Sequence, residues 1–197
     1  MTGQLSIERG KTAVVIMDYQ NDIVSFLPEA ARDELMERAG AVLASARREG
    51  IPVIYVVVRF REGYPEISSG DAVRRGLRDS ERLKEGTPGA EIHSAVAPEP
   101  GEVVVTKRRT GAFSTTDLGA VLSAQGIETL VLMGVSTSGC VLSTVRWAAD
   151  TDYRLIVVSD CCADRDEEVQ RVLTEKVFPR QAAVVTSQEF IQALGRT

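Results

Sequence analysis

Histidine, cysteine and long apolar runs are all scarce in this sequence of 197 residues. A single histidine, His93, and three cysteines with no CxxC pair leave no convincing zinc site. An odd number of cysteines does not make a disulfide framework. No apolar run approaches the roughly 18 residues of a membrane-spanning helix, and the first residues lack the apolar core of a signal peptide. We therefore expect a cytoplasmic protein without a membrane partner.

Positive charge is also in deficit, because 23 lysines and arginines face 28 aspartates and glutamates, which gives a net charge of −5. This balance argues against nucleic acid as a partner. The hydrophobic fraction of 44% and the charged fraction of 26% are ordinary for a globular protein. The length suits one sizeable core, so residues 1–197 are predicted to form a single domain.

Six short apolar runs, rich in valine and isoleucine, alternate with helical patterns along the chain. Such runs are typical of strands buried on both faces of a parallel sheet. The alternation predicts a doubly wound α/β sandwich. The predicted strands are 12–17, 51–58, 102–106, 129–133, 155–159 and 182–186. The predicted helices are 29–49, 117–125, 138–150, 166–177 and 187–194, the last with Ser187 as its N-cap.

Residues 59–100 are the exception, because they contain no clear strand and include the glycine- and proline-rich runs GYPEISSG and APEPGE. Only a short helix over 71–81 is expected there. A long irregular stretch inside a compact domain is commonly functional. We predict that this segment serves as a lid or as a subunit interface.

Reactive side chains follow three of the predicted strands. Asp18 follows the first strand, Lys107 the third and Cys140 the fourth. Ligands of open parallel sheets bind at the carboxyl ends of the strands, so these side chains are expected at one edge. Together they supply a proton acceptor, a charge stabiliser and a nucleophile. We therefore predict a catalytic site built from these three residues.

Each of the three also has a purely structural interpretation. Asp18 could anchor a loop, Lys107 could open a solvated basic turn, and Cys140 could be a small core residue. Cys140, however, is expected at or just inside the N-terminus of a helix, where free N–H groups and the helix dipole favour a thiolate. The functional interpretation depends on the combination. By contrast, His93 is interpreted as structural. The residues expected to pack in the core are Trp147, Cys161 and Cys162.

Three segments resemble the motifs of the isochorismatase-like hydrolases. VVIMDYQND is similar to the opening motif, TKRRTGAFSTTDL to the lysine segment, and GVSTSGCVLSTVRWAADTDYRLIVVSDCCAD to the cysteine segment. The resemblance implies a Rossmann-like three-layer α/β/α sandwich with a six-stranded parallel sheet. It also implies an Asp–Lys–Cys catalytic triad at Asp18, Lys107 and Cys140, and a cis peptide between Val135 and Ser136. The N–H groups of Ser136 and Cys140 would then form an oxyanion hole, and a homodimer or higher homo-oligomer is expected.

Two departures from the family's branches narrow the expected chemistry. The nicotinamidase branch binds a metal through an aspartate and histidines soon after the second strand, where this chain reads RFREGYPEIS without a histidine. We therefore predict no metal and no other cofactor. The branch that cleaves a vinyl ether lacks the nucleophilic cysteine. The presence of Cys140 favours hydrolysis of a C–N bond in a small amide through a thioester.

The substrate is expected to be a small molecule that carries a carboxylate. Arginine suits bidentate carboxylate recognition, and basic residues gather near the predicted site. Tyr19, Phe60 and Phe113 are expected to form apolar walls. The alternative is that several of these basic residues pair with nearby acids or line a subunit interface. The basic residues are Arg59, Arg61, Lys107, Arg108 and Arg109.

Other classes of function remain open at this stage. A vinyl-ether hydrolase would use Asp18 as a general acid and leave Cys140 dispensable. A non-catalytic binding module would tolerate the loss of all three residues. A redox-responsive protein would depend on its cysteines and respond to oxidant. A nucleotide-binding protein is disfavoured, because no GxGxxG or GxxxxGK follows any predicted strand.

Overall fold

A computed structural model describes residue 5 and residues 7–195. Its centre is one sheet of six parallel strands in the order β3-β2-β1-β4-β5-β6, with helices on both faces. The predicted six-stranded α/β fold is therefore confirmed. The strands are β1 (Thr12–Met17), β2 (Val53–Val58), β3 (Val103–Lys107), β4 (Thr129–Val135), β5 (Arg154–Ala163) and β6 (Ala183–Val185).

Seven α-helices are present in the described part of the chain. The long helix α2 packs against α7 and against β5. Single turns of 3-10 or π-helix occur between them. The α-helices are α1 (Asn21–Val24), α2 (Glu29–Arg48), α3 (Ala72–Asp79), α4 (Leu118–Ala124), α5 (Leu142–Asp150), α6 (Glu167–Val172) and α7 (Ser187–Leu194).

The three central strands β1, β2 and β4 are buried at every residue. Their β-branched side chains pack well on a sheet that is covered on both faces, which explains why the sequence lacks alternation there. In the register of the sheet, Met17 of β1 lies beside Gly134 of β4, and Val58 of β2 lies beside Lys107 of β3. The strand ends are thus aligned along one edge.

Several predicted boundaries differ from the structure, and two of the differences have clear local reasons. The N-cap of α7 is Thr186 rather than Ser187, because the Thr186 hydroxyl and the Glu189 carboxylate form a reciprocal capping box. The N–H and hydroxyl of Ser187 instead donate to Asp160. Strand β5 also continues four residues beyond its predicted end, so Cys161 and Cys162 lie inside the strand.

The segment 59–100 is more ordered than its composition suggests. Asp71 caps α3 by accepting a hydrogen bond from the N–H of Arg74. A small apolar cluster separate from the main core holds the segment against the end of β2. The cluster consists of Val58, Phe60, Tyr64, Ile67 and Leu83. Its use as a lid or interface stays a prediction.

Among the helices of the described residues, none is both long enough and apolar enough to span a bilayer.

Candidate active site

The carboxyl ends of three strands bring the predicted catalytic side chains together. Asp18 directly follows β1, and Lys107 is the last residue of β3 rather than the first after it. Cys140 lies in a single π-helical turn, Thr137–Val141, that connects β4 to α5. All three side chains are buried, and all three line one cavity of about 320 Å³.

Asp18 is held in an unusual backbone conformation. Its φ angle is +59°, in the left-handed region that residues with a side chain seldom adopt. Its N–H donates to the carbonyl of Val56 at 2.9 Å, which ties this turn to the neighbouring strand β2. Conformations of this kind persist where the surrounding structure enforces them, and they concentrate at functional sites.

Lys107 and Asp18 form a buried ion pair. The Nζ atom of Lys107 lies 2.7 Å from Oδ2 of Asp18 and also donates to the carbonyl of Thr110 at 2.7 Å. The other oxygen, Oδ1, is buried and has no hydrogen-bond partner among the described residues. Burial raises the pKa of Asp18, although the Lys107 ammonium acts in the opposite direction. The carboxylate is therefore more basic than an ordinary aspartate.

The thiol of Cys140 is held in surroundings that favour its protonated form. It donates to the carbonyl of Ser136 at 3.4 Å. Burial and the nearby Asp18 carboxylate raise the pKa of the Cys140 thiol well above its usual value. These two effects oppose the stabilisation of a thiolate that a helix N-terminus is expected to give. Moreover, α5 itself begins two residues later, at Leu142.

Gly134 leaves room for the sulfur. A Cβ atom at this position would lie 3.0 Å from Sγ of Cys140 and 3.1 Å from Cβ of Met17. Contacts this short require a neighbour to move. Any larger residue at position 134 would therefore displace the Cys140 thiol or the adjacent strand β1.

The turn before Cys140 contains the backbone features that the family resemblance implied. The peptide bond between Val135 and Ser136 is cis. Ser136 and Cys140 both line the cavity. The N–H of Ser138 is already committed, because it donates to Oδ2 of Asp164 at 2.7 Å. An oxyanion hole formed by the N–H groups of Ser136 and Cys140 remains a prediction.

Of the four predicted substrate-binding residues, only Phe60 lines the cavity. Tyr19 is buried in the core and donates from its hydroxyl to the carbonyl of Cys161. Arg59 pairs with Glu91. Phe113 stacks on Trp147 with 3.9 Å between the ring centroids. The structure does not place Tyr19, Arg59 or Phe113 in the cavity lining.

Trp147 itself was expected in the core, but its surface is 43% exposed. It stacks on the buried Phe113 while much of its own surface faces solvent, so the expectation of a core residue is wrong. His93, as expected, lies outside the cavity lining, and its Nδ1 accepts from the N–H of Ala95. Cys161 and Cys162 are buried within β5, in agreement with a packing role.

Several charged cavity residues were not selected from the sequence. Asp22 and Asp164 belong to the polar runs that follow β1 and β5, so their placement after a strand was a usable signal. The others come from α3, the loop after it, and the turn after Asp164, where no sequence pattern points to the cavity. They are Arg74, Arg82 and Arg165.

Within the part of the chain that the structure describes, no group of three or more histidine, cysteine, aspartate or glutamate side chains is arranged to hold a metal ion.

A parallel α/β sheet that gathers a thiol, a carboxylate and an ammonium in one cavity defines a small hydrolase with a cysteine in its site. The chain belongs to the isochorismatase family, because the family model described as "Isochorismatase domain" matches residues 12–189.

Named relatives and solved structures agree with this assignment. Maleamate amidohydrolase of Pseudomonas putida is 35% identical over 159 residues, covering 81% of this chain and 74% of that protein. The crystal structure of N-carbamoylsarcosine amidase from Thermoplasma acidophilum has a TM-score of 0.75 and 29% identity, covering 90% of this chain and 96% of that one. A cysteine hydrolase from Pseudomonas syringae pv. phaseolicola has a TM-score of 0.88, covering 100% of this chain and 99% of that one. Its identity is 23%, so that likeness shows the fold alone.

Proposed function

We propose that the protein hydrolyses the C–N bond of a small amide, with Cys140 as nucleophile and Asp18 as general base. The observation that carries this proposal is the buried Oδ1 atom of Asp18, which lacks a hydrogen-bond partner in the described structure while Lys107 holds Oδ2. A carboxylate oxygen without a hydrogen bond, next to the Cys140 thiol, is free to accept the proton of that thiol.

The first half of the reaction forms a thioester. The thiol proton moves from Sγ of Cys140 to Asp18 as the sulfur bonds to the amide carbon, and the carbonyl oxygen becomes an oxyanion. The oxyanion then collapses, the C–N bond breaks, and Asp18 returns the proton to the leaving nitrogen. The products are a free amine or ammonia and an acyl group bound to Cys140.

Water completes the cycle. Asp18 takes a proton from a water molecule whose oxygen attacks the thioester carbon. The C–S bond breaks, and the proton passes to the thiolate, which restores the Cys140 thiol and releases a carboxylic acid. The cycle restores the protein to its starting state, and water is the only reactant besides the amide.

Lys107 supports these reaction steps through its charge and its position. Its ammonium keeps Asp18 anionic despite burial, because it opposes the desolvation that raises the pKa of Asp18. It also fixes the carboxylate through the 2.7 Å contact with Oδ2, which leaves Oδ1 to accept the proton of the Cys140 thiol. The names of two relatives, an amidohydrolase and an amidase, support amide chemistry for this chain as well.

The test combines a panel of small amides with single substitutions, read by ammonia release and by intact mass after an acid quench. We expect Cys140→Ala to lower kcat at least about 10³-fold, because the covalent route is lost. The wild-type protein should show an added acyl mass. Cys162→Ala is the matched control, because Cys162 is also buried but does not line this cavity.

Full turnover in Cys140→Ala would overturn the nucleophile assignment. If the wild type released no ammonia from any amide but cleaved a vinyl ether, and Cys140→Ala cleaved it as well, the chemistry would belong to the other branch of the family.

A further inference from the structure

The cavity carries a local surplus of positive charge in a protein whose net charge is −5. Its lining includes five basic side chains and three acidic ones. A cleft lined by an excess of one charge focuses that charge on whatever enters it, because the protein walls have a low dielectric constant. The basic residues are Arg74, Arg82, Lys107, Arg109 and Arg165, and the acidic residues are Asp18, Asp22 and Asp164.

Three of these basic side chains already have an acidic partner. Lys107 pairs with Asp18, as described above. Arg74 contacts Oδ2 of Asp71 at 2.7 Å, and it also donates to the hydroxyl of Thr110. Arg82 lies 3.8 Å from Asp22. Their charges are largely neutralised within the protein.

Arg165 is occupied in a different way. Its guanidinium carbon lies 5.0 Å from the centroid of the Phe26 ring, in a cation–π contact. Its side chain is largely exposed to solvent, where charge is screened.

Arg109 differs from the other four. Its Nη1 atom donates to two backbone carbonyls, those of Arg108 at 2.7 Å and Glu66 at 3.2 Å. No carboxylate among the described residues lies within ion-pair distance of it, and neither Nε nor Nη2 has a hydrogen-bond partner there. The backbone contacts hold Nη1 in place, and Nε and Nη2 remain free to donate, while the charge also acts on the carboxylate of Asp71, which is paired with Arg74.

The neighbouring arginine makes the contrast clear. Arg108 pairs with both Glu66 and Glu85 and donates to the carbonyl of Arg59. It does not line the cavity. Of two consecutive arginines after β3, one is paired with glutamates away from the cavity, and the other lines the cavity of Cys140 with no carboxylate of the described residues within ion-pair distance.

We propose that Arg109 determines specificity by binding a carboxylate at the end of the substrate remote from the scissile amide. This inference rests on the proposed amide hydrolysis. A fixed guanidinium with free donors matches the planar, bidentate geometry of a carboxylate. The favoured substrates are therefore monoamides of small linear dicarboxylic acids.

The test compares each monoamide, with three to six carbons, against the neutral diamide of the same length. The wild type should prefer the monoamide. Arg109→Gln should raise KM for the monoamide about 10- to 100-fold, because a charge-assisted hydrogen bond is lost. Its kcat, and both constants for the diamide, should change less than about threefold. Arg109→Lys should restore part of the preference, since it keeps the charge but loses the planar fork.

Arg75→Gln is the matched control, because Arg75 is an exposed arginine of α3 that does not line the cavity. It should leave the preference unchanged. Equal losses on monoamide and diamide in Arg109→Gln, or no loss on either, would overturn the role of Arg109 while leaving amide hydrolysis intact.

Calorimetric binding of succinate to the unreacted protein separates the two proposals. We expect binding to the wild type that weakens at least about tenfold in Arg109→Gln. If no amide is cleaved but succinate binding still depends on Arg109, the reaction is wrong and the carboxylate site stands. If amides are cleaved and succinate binds equally to both proteins, the carboxylate site is wrong.

Discussion

The side chain of Lys107 passes over the end of β2 and forms an ion pair with Asp18. Lys107 ends β3, Asp18 follows β1, and β2 lies between these strands in the sheet. Their side chains are only 2% and 7% exposed, and the ammonium and carboxylate are 2.7 Å apart. This ion pair therefore closes the carboxyl edge of the sheet over β2 and takes part in the proposed chemistry at the same time.

Removing one partner of this pair should be more damaging than removing both. Lys107→Met leaves a buried carboxylate without compensation and should lower the free energy of unfolding by about 3–5 kcal/mol near neutral pH. The double variant Lys107→Met with Asp18→Asn should recover part of that loss. Urea denaturation of the three proteins gives the comparison.

The deficit of Lys107→Met should also depend on pH. The folded-state pKa of Asp18 is already raised, and losing the ammonium raises it further. The folded protein then binds the proton more readily than the unfolded chain, so stability is lost as pH rises through that pKa and regained as pH falls below it. A deficit that is the same at about pH 5 and about pH 8 would contradict this account.

The pH profile of the wild-type reaction should also reflect the raised pKa of Asp18. Because Asp18 acts as base, kcat/KM should rise with pH as Asp18 loses its proton, with a midpoint above the ordinary aspartate value of about 3.9. The raised pKa of Cys140 means that no second rise should occur near pH 8.5, where an ordinary thiol ionises. A rise there would show that the free thiolate, rather than the thiol with its base, is the reacting species.

Gly134→Ala tests the close approach between β4 and the thiol. The added methyl group would lie 3.0 Å from Sγ of Cys140, so we expect a loss of about 1–3 kcal/mol in stability. A displacement of the sulfur by about 1 Å should lower kcat about 100-fold. Gly76→Ala in α3 is the control, since a Cβ there meets no described atom within 4 Å, and it should stabilise by about 0.5–1 kcal/mol. Unchanged activity in Gly134→Ala would contradict the proposed fit.

Thiol labelling should separate the three cysteines. Burial raises the pKa of all three thiols, so the difference lies in access to a base. Cys140 shares the central cavity with Asp18, which can take its proton as the sulfur reacts, whereas Cys161 and Cys162 do not line this cavity. Peptide mapping after iodoacetamide treatment should find Cys140 modified first in the native protein. Equal labelling of all three without denaturant would contradict this order.

The fold was readable from the sequence because burial on both faces leaves a plain signature. The run 12–17 matches β1 at both ends, and the positions of Asp18 and Cys140 follow from counting strands. Where a strand continues past its apolar run, as β5 does through Asp160, the pattern gives no warning. The polar residue ends the hydrophobic signal without ending the hydrogen-bonded ladder.

The cavity wall was less predictable, because it depends on which charges meet in space. Arg59, Arg61, Arg108 and Arg109 look alike in the sequence, yet the first three pair with glutamates and only the last lines the cavity. Those glutamates belong to the irregular segment, whose folding no periodic pattern describes. The depth at which Cys140 is buried, and with it the direction of its pKa shift, could not be read from the sequence either.

The pairing of Met17 with Gly134 places the proposed nucleophile and the proposed base after two adjacent strands at the centre of the sheet, although 122 positions separate Asp18 from Cys140 along the chain. The ladder of hydrogen bonds between β1 and β4 therefore aligns the reacting groups, whatever the length or composition of the chain in between. Arg109 and α3, by contrast, belong to the periphery of that ladder. On the proposed mechanism, a substitution at Arg109 can therefore change which substrate binds without moving the proposed nucleophile or its base.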